Sequence, residues 1–291
     1  MVKKAILLVA GFGTRFLPAT KSMPKEMLPV VDKPVIQYLV EEVVAAGVKE
    51  VIFVTGRGKR AIEDHFDKSF ELEYTLVEKN KKELLEDVSR ISTLAKFAYV
   101  RQPEPTGDGD ALLCARHLVG NEPVAVLFGD DIIDAKVPAI RQLIDVYEKY
   151  HDPVICLERV PMRNVSRYGI VGGSKVADRT YEINKFVEKP SPDKAPSNLS
   201  VVGKYIITPE VFNAIEEAGI SKDGERRLAD GFIKLLEKKP IYGYEFEGKR
   251  FDCGSKVGFL KATVDFALKH KETKTEFKKY LRKILCDQDE A

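Results

Sequence analysis

Short, uninterrupted apolar runs alternate with amphipathic segments along the first half of the chain. Residues 5–9 read Ala-Ile-Leu-Leu-Val, and residues 51–55 and 124–128 are similar runs, a pattern typical of strands buried on both faces. Between the first two runs, Pro34 precedes apolar positions three and four residues apart and Gly47 follows the last of them, which predicts a helix between these two residues. Strand, helix and strand in this order form a βαβ unit with a right-handed crossover. We therefore predict a doubly wound α/β fold with a mostly parallel sheet flanked by helices.

The pattern continues with charged helices and changes after about residue 155. Helices are predicted at residues 59–66, 78–91 and 140–150. Beyond them short strands alternate with turns and one long helix; the strands are predicted at 154–160, 182–188, 201–207 and 241–246, and the helix near 225–238. We expect these strands to extend the same sheet and not to form an independent domain. Residues 257–291 are strongly charged and are predicted to form a C-terminal helical segment, which would either pack on the rest of the chain or face a partner.

Composition and charge exclude several classes of protein. The 291 residues are 44% hydrophobic and 32% charged, which is typical of a globular protein with a substantial core. A net charge of +2 gives no reason to expect a nucleic acid or a membrane surface as a partner. Any anion would therefore be bound locally, in a pocket.

The cysteines and the N-terminus indicate a cytoplasmic protein. The four cysteines lie far apart and form no Cys-x-x-Cys pair, which argues against a zinc site or a disulfide framework and favours reduced thiols. The segment Met1-Val2-Lys3-Lys4 leads directly into the first predicted strand and leaves no room for a signal peptide. No apolar run approaches about 18 residues, the length that indicates a membrane-spanning helix.

A glycine-containing loop follows the first predicted strand and carries cations. In Gly11-Phe12-Gly13 two glycines let the backbone bend and expose its N–H groups. Arg15 and Lys25 follow within the same loop. Backbone donors and cations at the end of a buried strand suit a polyanion, most simply a triphosphate. Gly-Phe-Gly by itself is equally consistent with a tight turn.

Two acids follow another predicted strand. Gly129-Asp130-Asp131 comes directly after the strand at 124–128. Carboxylates that face a phosphate loop from the end of a strand can form a Mg²⁺ site, because this cation prefers carboxylate and phosphate oxygens. A solvated turn is the alternative for this segment when it is taken alone.

Three connected motifs resemble the signature of the sugar-phosphate nucleotidyltransferase family. They are Gly-x-Gly-Thr-Arg at 11–15, Pro-x-Thr-Lys at 18–21 and Pro-Lys-Glu-x-Leu-Pro at 24–29. The segment Leu-Pro-Ala-Thr-Lys at 17–21 and Glu26 are similar in particular to the bacterial uridylyltransferases of this family, which use UTP and glucose 1-phosphate. The resemblance runs from about residue 3 to residue 270 with similar spacing throughout.

The resemblance implies a fold, a reaction and a cofactor. The fold would be the Rossmann-like nucleotide-diphospho-sugar transferase type, a single domain over residues 1–270 with a nucleotide-binding half at about 1–150 and a sugar-binding half at about 151–256. The reaction would convert UTP and α-D-glucose 1-phosphate to UDP-glucose and pyrophosphate, with Mg²⁺ as cofactor. Relatives are commonly dimers or tetramers, so a homodimer or homotetramer is expected.

The resemblance also assigns roles to residues that match the family's motifs. The catalytic cations would be Arg15, Lys25 and Lys189. The nucleotide-binding residues would be Ala10, Gly11, Gly13, Glu26, Gln102 and Gly107, with the Gln102 amide reading uracil as donor and acceptor at once. The sugar-binding residues would be Gly169, Glu188, Lys189 and Gly203. The metal ligands would be Asp130, the first acid after its strand, and Asp252 in an Asp-x-Gly segment; Asp131 is a weaker candidate.

Two segments depart from the pattern of the relatives. Residues 107–111 read Gly-Asp-Gly-Asp-Ala where relatives usually have Gly-Leu-Gly-His-Ala, which places acids at 108 and 110. Acids near a triphosphate weaken binding unless they face solvent or a cation. Residues 224–230 read Gly-Glu-Arg-Arg-Leu-Ala-Asp where most relatives have Gly-Glu-Ile-Gln-Leu-Thr-Asp. Arg226 and Arg227 would face solvent at a helix start or, if they face the pocket, read a more anionic sugar.

Other functions fit these motifs less well. A dinucleotide-dependent oxidoreductase lacks support because Phe16 replaces the third glycine of that fingerprint, and no acid follows the second strand at Thr55-Gly56. A P-loop kinase would need Gly-Lys-Ser or Gly-Lys-Thr after the glycines. Two alternatives stay open: the same chemistry with dTTP or another hexose 1-phosphate, and a catalytically weak regulatory relative.

Overall fold

A single nine-stranded sheet forms the centre of the chain in the computed structural model, which describes residues 1–289. The strands are β1 (Lys4–Val9), β2 (Pro29–Val30), β3 (Lys33–Pro34), β4 (Glu50–Thr55), β5 (Lys96–Arg101), β6 (Val124–Phe128), β7 (Asp131–Asp134), β8 (Val154–Arg159), β9 (Gly169–Ala177), β10 (Thr180–Glu188), β11 (Leu199–Ile207), β12 (Ile241–Glu245) and β13 (Lys249–Asp252). The large sheet has the order β5-β4-β1-β6-β11-β8-β12-β10-β9, and only β10 and β11 run against the other seven strands. The predicted α/β fold with a mostly parallel sheet is confirmed.

Helices cover both faces of this sheet. They are α1 (Val35–Ala45), α2 (Arg60–Phe66), α3 (Phe70–Glu78), α4 (Lys82–Ser92), α5 (Asp108–Val119), α6 (Ala139–Tyr150), α7 (Pro209–Ala218), α8 (Leu228–Leu236), α9 (Lys256–Ala267) and α10 (Lys274–Asp289). In β1, Leu7 belongs to the same core cluster as Ile36 of α1, whereas Ile6 belongs to the cluster of Leu112 of α5. Because successive side chains of a strand point to opposite faces, this burial on both sides requires the uninterrupted apolar run.

The parallel register brings three loops to one edge of the sheet. Val9 pairs with Thr55 of β4, and Leu8 pairs with Phe128 of β6. The loops that leave the carboxyl ends of β1, β4 and β6 therefore start side by side, at the edge where ligands bind in open α/β sheets.

The second half of the chain joins the same sheet, as predicted. β11 (199–207) pairs with β6 on one side and with β8 on the other, both antiparallel. The boundaries proposed at residues 150 and 256 stay predictions.

Two predicted helices differ from the structure. The helix predicted at 78–91 corresponds to α4, which begins only at Lys82, because a turn in which Asn80 has φ 53° separates it from α3. The helix near 225–238 covers only 228–236, because Arg227 is extended and the Arg226 N–H bonds Thr106. Nine elements were not predicted, namely β2, β3, α3, β5, α5, β7, β9, α7 and β13. In β9 and α5 the glycines and acids are typical of turns.

The C-terminal segment is helical and partly packs back on the fold. The Phe259 ring of α9 contacts Phe16 with centroids 5.6 Å apart, and Phe266 contacts Tyr38 at 4.8 Å. The predicted segment extends to residue 291, and residues 290–291 lie outside the described part of the chain. None of the helices within residues 1–289 has the length and apolar character needed to cross a bilayer.

Candidate active site

Two adjoining cavities open at the carboxyl ends of β1 and β6. The larger, of about 860 Å³, reaches from Arg15 to the ends of β10 and β11. The smaller, of about 250 Å³, lies against Gly11 and Gln102. Both are lined by Asp130 and Gly107. The volumes suit a pair of small molecules that meet at Asp130.

The structure gathers most of the predicted site residues around these cavities. The larger cavity is lined by Arg15, Gly107, Asp130, Gly169, Glu188, Lys189, Gly203 and Asp252. The smaller cavity is lined by Ala10, Gly11, Lys25, Gln102, Gly107 and Asp130. Gly13 and Glu26 line neither. Gly13, at φ 67°, lets Lys25 approach, since a Cβ there would lie 2.9 Å from the Lys25 Cβ.

Lys25 and Asp130 form the ion pair at the junction of the cavities. Lys25 Nζ lies 2.5 Å from Asp130 Oδ2, and each side chain is 21% exposed. Burial lowers the pKa of Lys25, but the charges of Asp130 and Glu26 outweigh this effect and hold the pKa above its ordinary value of 10.5. Lys25 is therefore a permanent cation at neutral pH.

Asp130 and Asp252 converge on the backbone of Gly254. A Cβ at Gly254 would overlap Asp130 Oδ2 and lie 3.1 Å from Asp252 Oδ1. Asp252 Oδ1 also accepts a hydrogen bond from the Gly254 N–H at 3.0 Å. Two carboxylates that approach the same backbone segment in the wall of the larger cavity are a donor set that fits a hard divalent cation. Within residues 1–289, no cluster of three or more metal-binding side chains occurs.

Glu26 lies beneath the glycine-containing loop and not in the cavity. Its side chain is fully buried, and Lys59 Nζ donates to its Oε2 at 2.8 Å. Its Oε1 is buried without a hydrogen-bond partner. Burial raises the pKa of Glu26, and the Lys59 charge opposes that rise. The side chain is thus placed to support the loop from below, and the nucleotide-binding role that the resemblance assigned to Glu26 stays a prediction.

We expect Lys59→Met to destabilise the protein by about 3–5 kcal/mol, because it removes the ion-pair partner of the buried Glu26 carboxylate. The folded-state pKa of Glu26 is already raised above 4.5, and the substitution raises it further. A group of this kind loses stability as the pH rises through its folded-state pKa, so the destabilisation should be larger at pH 8 than at pH 5. Urea unfolding at both pH values measures it.

Arg60→Met is the matched control for Lys59→Met. Arg60 is the next residue along the chain, but its ion pair with Asp64 is exposed (86% and 62%). Such a pair contributes about 0–1 kcal/mol. Equal unfolding midpoints for the two variants would contradict a stabilising role of the buried pair.

Gln102 lies at the wall of the smaller cavity with its amide nitrogen already bonded. Its Nε2 donates to Gly107 O at 2.9 Å and to Asp110 Oδ2 at 3.2 Å. Its backbone N–H donates to Thr55 O at 2.8 Å, which fixes the residue at the sheet edge. The end of the amide that remains for a ligand is the Oε1 carbonyl.

The two unusual segments of the sequence contact each other. Arg226 N donates to Thr106 O at 2.7 Å, and Gly109 N donates to Arg226 O at 2.9 Å. Asp108 Oδ1 accepts from Leu228 N at 2.9 Å, at the start of α8, where a carboxylate is favoured. Both acids therefore have partners within the protein, although Asp108 also lines both cavities. A Cβ at Gly107 would overlap Arg226 O, so this glycine is required by the Arg226 segment.

Arg227 differs from Arg226 in facing the larger cavity. It lines that cavity, but its guanidinium also pairs with Asp223 and with Glu225. Its charge is consequently shared with two acids before any ligand binds.

The sugar-side residues meet at the ends of β9 and β10. Gly169 pairs with Glu188 across the two strands, and a Cβ at Gly169 would lie 3.0 Å from Glu188 Oε2. Lys189 follows with φ 46°, an uncommon conformation for a side chain of its size. Its Nζ lies 3.4 Å from Glu188 Oε1 and its side chain is 65% exposed, so it is free to meet a ligand.

Arg250 is a buried cation of the larger cavity that the sequence did not single out. Its Nε donates to Asp131 Oδ1 at 2.7 Å, and its Nη1 donates to Glu158 Oε2 at 3.3 Å. Asp131 Oδ2 accepts from Gly203 N at 3.3 Å. Both carboxylate oxygens of Asp131 therefore already accept hydrogen bonds, from Arg250 and from β11. This agrees with its place as the weaker candidate for a metal ligand. Arg250 stands two residues before Asp252, the only sequence signal that could have identified it.

Comparison with known sequences identifies close relatives over the full length. The profile of the nucleotidyl transferase family matches residues 4–269. A UTP–glucose-1-phosphate uridylyltransferase of Bacillus subtilis (strain 168) is 51% identical over 288 residues, which cover 99% of each chain. One of Staphylococcus haemolyticus (strain JCSC1435) with the same name is 49% identical, over 97% of this chain and 98% of the relative.

Solved structures agree with these relatives. A UTP-bound UGPase from Acinetobacter baumannii superposes with a TM-score of 0.91 at 40% identity and covers 97% of this chain and 99% of its own. A UDP-glucose pyrophosphorylase in complex with UDP-glucose has a TM-score of 0.84 at 41% identity and covers 93% and 100% of the two chains.

Proposed function

This chain belongs to the nucleotidyl transferase family, and from that premise we propose that it is a UTP–glucose-1-phosphate uridylyltransferase, which converts UTP and α-D-glucose 1-phosphate to UDP-glucose and pyrophosphate. The observation that carries the proposal is the sequence identity of 51% and 49%, over nearly the full length of the chain, to two uridylyltransferases of that name. The two adjoining cavities support it, because Asp130 lines both and would lie between two substrates bound side by side.

The proposed chemistry is an in-line displacement at phosphorus. An oxygen of the sugar phosphate forms a bond to the α-phosphorus of UTP, the bond from that phosphorus to the bridging oxygen breaks, and pyrophosphate leaves with the electron pair. The attacking phosphate is already ionised, so no general base is needed. Catalysis then depends on alignment and on charge stabilisation in the transition state.

Three cations of the site have proposed roles in this reaction. Lys25, a permanent cation at the junction of the cavities, would stabilise the charge that develops on the triphosphate. Arg15 lines the larger cavity near Gly254 O, at 3.4 Å, and would hold the leaving pyrophosphate. Lys189, exposed at the sugar end, would position the attacking phosphate as a point charge.

Members of this family generally depend on a divalent metal, and we propose that Mg²⁺ is the one used here. Asp130 and Asp252 would hold it, because their carboxylates converge on Gly254. When bound it would supply positive charge to the phosphate oxygens.

The experiment that tests the function measures pyrophosphate release with Mg²⁺ across UTP, dTTP, ATP, CTP and GTP, each paired with glucose, galactose, mannose and N-acetylglucosamine 1-phosphates. We expect a clear maximum with UTP and glucose 1-phosphate. A maximum with another pair would establish the same chemistry on a different substrate. No release from a folded protein that binds UTP would establish a regulatory relative instead.

We further propose a homodimer or homotetramer in a reducing compartment, the cytoplasm. Exposed apolar side chains on α9 and α10 support the first point, with Leu260 61% and Leu285 63% exposed. Four unpaired thiols, of which Cys156 and Cys253 are buried, support the second. Size-exclusion chromatography with light scattering measures the oligomeric state.

A further inference from the structure

The hydrogen-bonding character of two neighbouring groups determines the orientation of the Gln102 side-chain amide. The carbonyl and amino ends of an amide have nearly the same shape, so an orientation needs partners that accept only one of them. Both partners here, Gly107 O and the Asp110 carboxylate, are acceptors. The end that faces them must therefore be the NH₂ group.

Asp110 is itself held in place from two sides. Thr106 Oγ1 donates to its Oδ2 at 2.8 Å, the same oxygen that receives the Gln102 amide. Arg226 Nη1 lies 3.9 Å from its Oδ1. The Arg226 backbone is in turn bonded to the loop that carries Thr106 and Gly109. The carboxylate that orients Gln102 is thus itself held by a hydrogen bond from Thr106 and by the nearby Arg226 guanidinium.

The orientation has a consequence for which base the smaller cavity accepts. The carbonyl of Gln102 offers an acceptor to the ligand. Uracil and thymine carry an N3–H donor at the Watson–Crick edge, whereas cytosine carries a lone pair at the same nitrogen. A fixed carbonyl bonds the first and repels the second, and a rotated amide would reverse this preference.

We propose that Asp110 is a positioning residue that holds the Gln102 carbonyl toward the base and thereby favours UTP over CTP. The inference rests on the proposed function for the identity of the substrate. It also explains how an acid at position 110 is compatible with a nucleotide site: the carboxylate is directed at Gln102, Thr106 and Arg226.

The test measures kcat/KM for UTP, CTP and dTTP with glucose 1-phosphate in the wild type and in Asp110→Ala. We expect the UTP-to-CTP ratio to fall about tenfold, the scale of one hydrogen bond to a charged group, with Gly107 O still holding the amide in part. The UTP-to-dTTP ratio should stay within about twofold, because both bases carry the N3–H. A variant that merely loosened the loop would lower the use of all three nucleotides together.

Two further variants separate the hydrogen bond from the charge. Asp110→Asn keeps an acceptor oxygen and should retain most of the wild-type UTP-to-CTP ratio. Glu104→Gln removes an acidic charge from an exposed position of the same loop and should leave the ratio unchanged. If Asp110→Ala does not fold, Thr106→Val provides a substitute, because it removes the hydrogen bond from Thr106 to Asp110. It should shift the UTP-to-CTP ratio in the same direction by a smaller factor.

Binding measurements keep this inference distinct from the proposed function. Calorimetric dissociation constants for UTP and CTP give the same ratio without turnover, so a wild type that releases no pyrophosphate would refute the function and still test Asp110. An unchanged ratio in Asp110→Ala, or an equal loss for all three nucleotides, would overturn the inference.

Discussion

Lys25→Ala is expected to lower kcat by roughly 10²–10³, the scale observed when one group that stabilises transition-state charge is removed. The lysine is the cation at which the two cavities meet, 2.5 Å from Asp130, and its raised pKa keeps it charged through neutral pH. Its charge is held in place before the substrates bind, so it meets the charge that develops on the triphosphate without rearrangement. Steady-state pyrophosphate release at saturating UTP and glucose 1-phosphate gives kcat.

Lys3→Ala is the control for this variant. It removes the same charge from an exposed residue just before β1, outside both cavities, and should turn over within about twofold of the wild type, as expected of an exposed residue away from special features. Turnover of Lys25→Ala at the wild-type rate, in a protein with the wild-type circular dichroism spectrum, would exclude Lys25 from catalysis.

Gly254→Ala is expected to have the second large effect, a loss of metal affinity of about 10–100-fold, as when a group that orients a metal ligand is changed. The new methyl group would overlap Asp130 Oδ2 and press on Asp252 Oδ1, so the two carboxylates are driven apart. The displacement also breaks the pair between Asp130 and Lys25. The Mg²⁺ dependence of pyrophosphate release measures the loss directly, as a shift of the half-maximal concentration.

Cys253→Ala is the neighbouring control, since it shortens a buried side chain in the same loop without adding an atom near either carboxylate. Its half-maximal Mg²⁺ concentration should match that of the wild type. A wild-type Mg²⁺ profile in Gly254→Ala would mean that the carboxylates do not form the metal site.

The sequence predicted the elements whose burial produces a recognisable pattern of apolar residues. β1, β4 and β6 are apolar on both faces because helices cover each side of the sheet, and a run of this kind has few other structural meanings. α5 was missed because Asp-Gly-Asp at its start has low helix propensity; the first of these acids instead bonds Leu228 of a distant segment. Local propensity carries no information about such a partner.

In the candidate site, too, the sequence identified some residues and missed some contacts. Gly11 and Asp130 stand next to the ends of β1 and β6, so their placement follows from the sheet, whereas Lys25 was identified by its motif in the loop after β1. The pairing of Glu26 with Lys59, 33 residues away, depends on how α2 lies under the loop and leaves no pattern in the sequence. The contact between Asp110 and Arg226 joins two segments that looked like separate anomalies.

The position of β11 in the sheet limits how this enzyme can be divided into fragments or recombined with a relative. This strand, from the second half of the chain, lies between β6 of the first half and β8 of the second. A fragment that stops near residue 150 would leave the backbone groups of β6 unpaired along one edge, a template for aggregation. The two halves are therefore not interchangeable modules. A chimera that takes its nucleotide half from one relative and its sugar half from another must keep β6 and β11 from the same relative, so that their pairing is preserved.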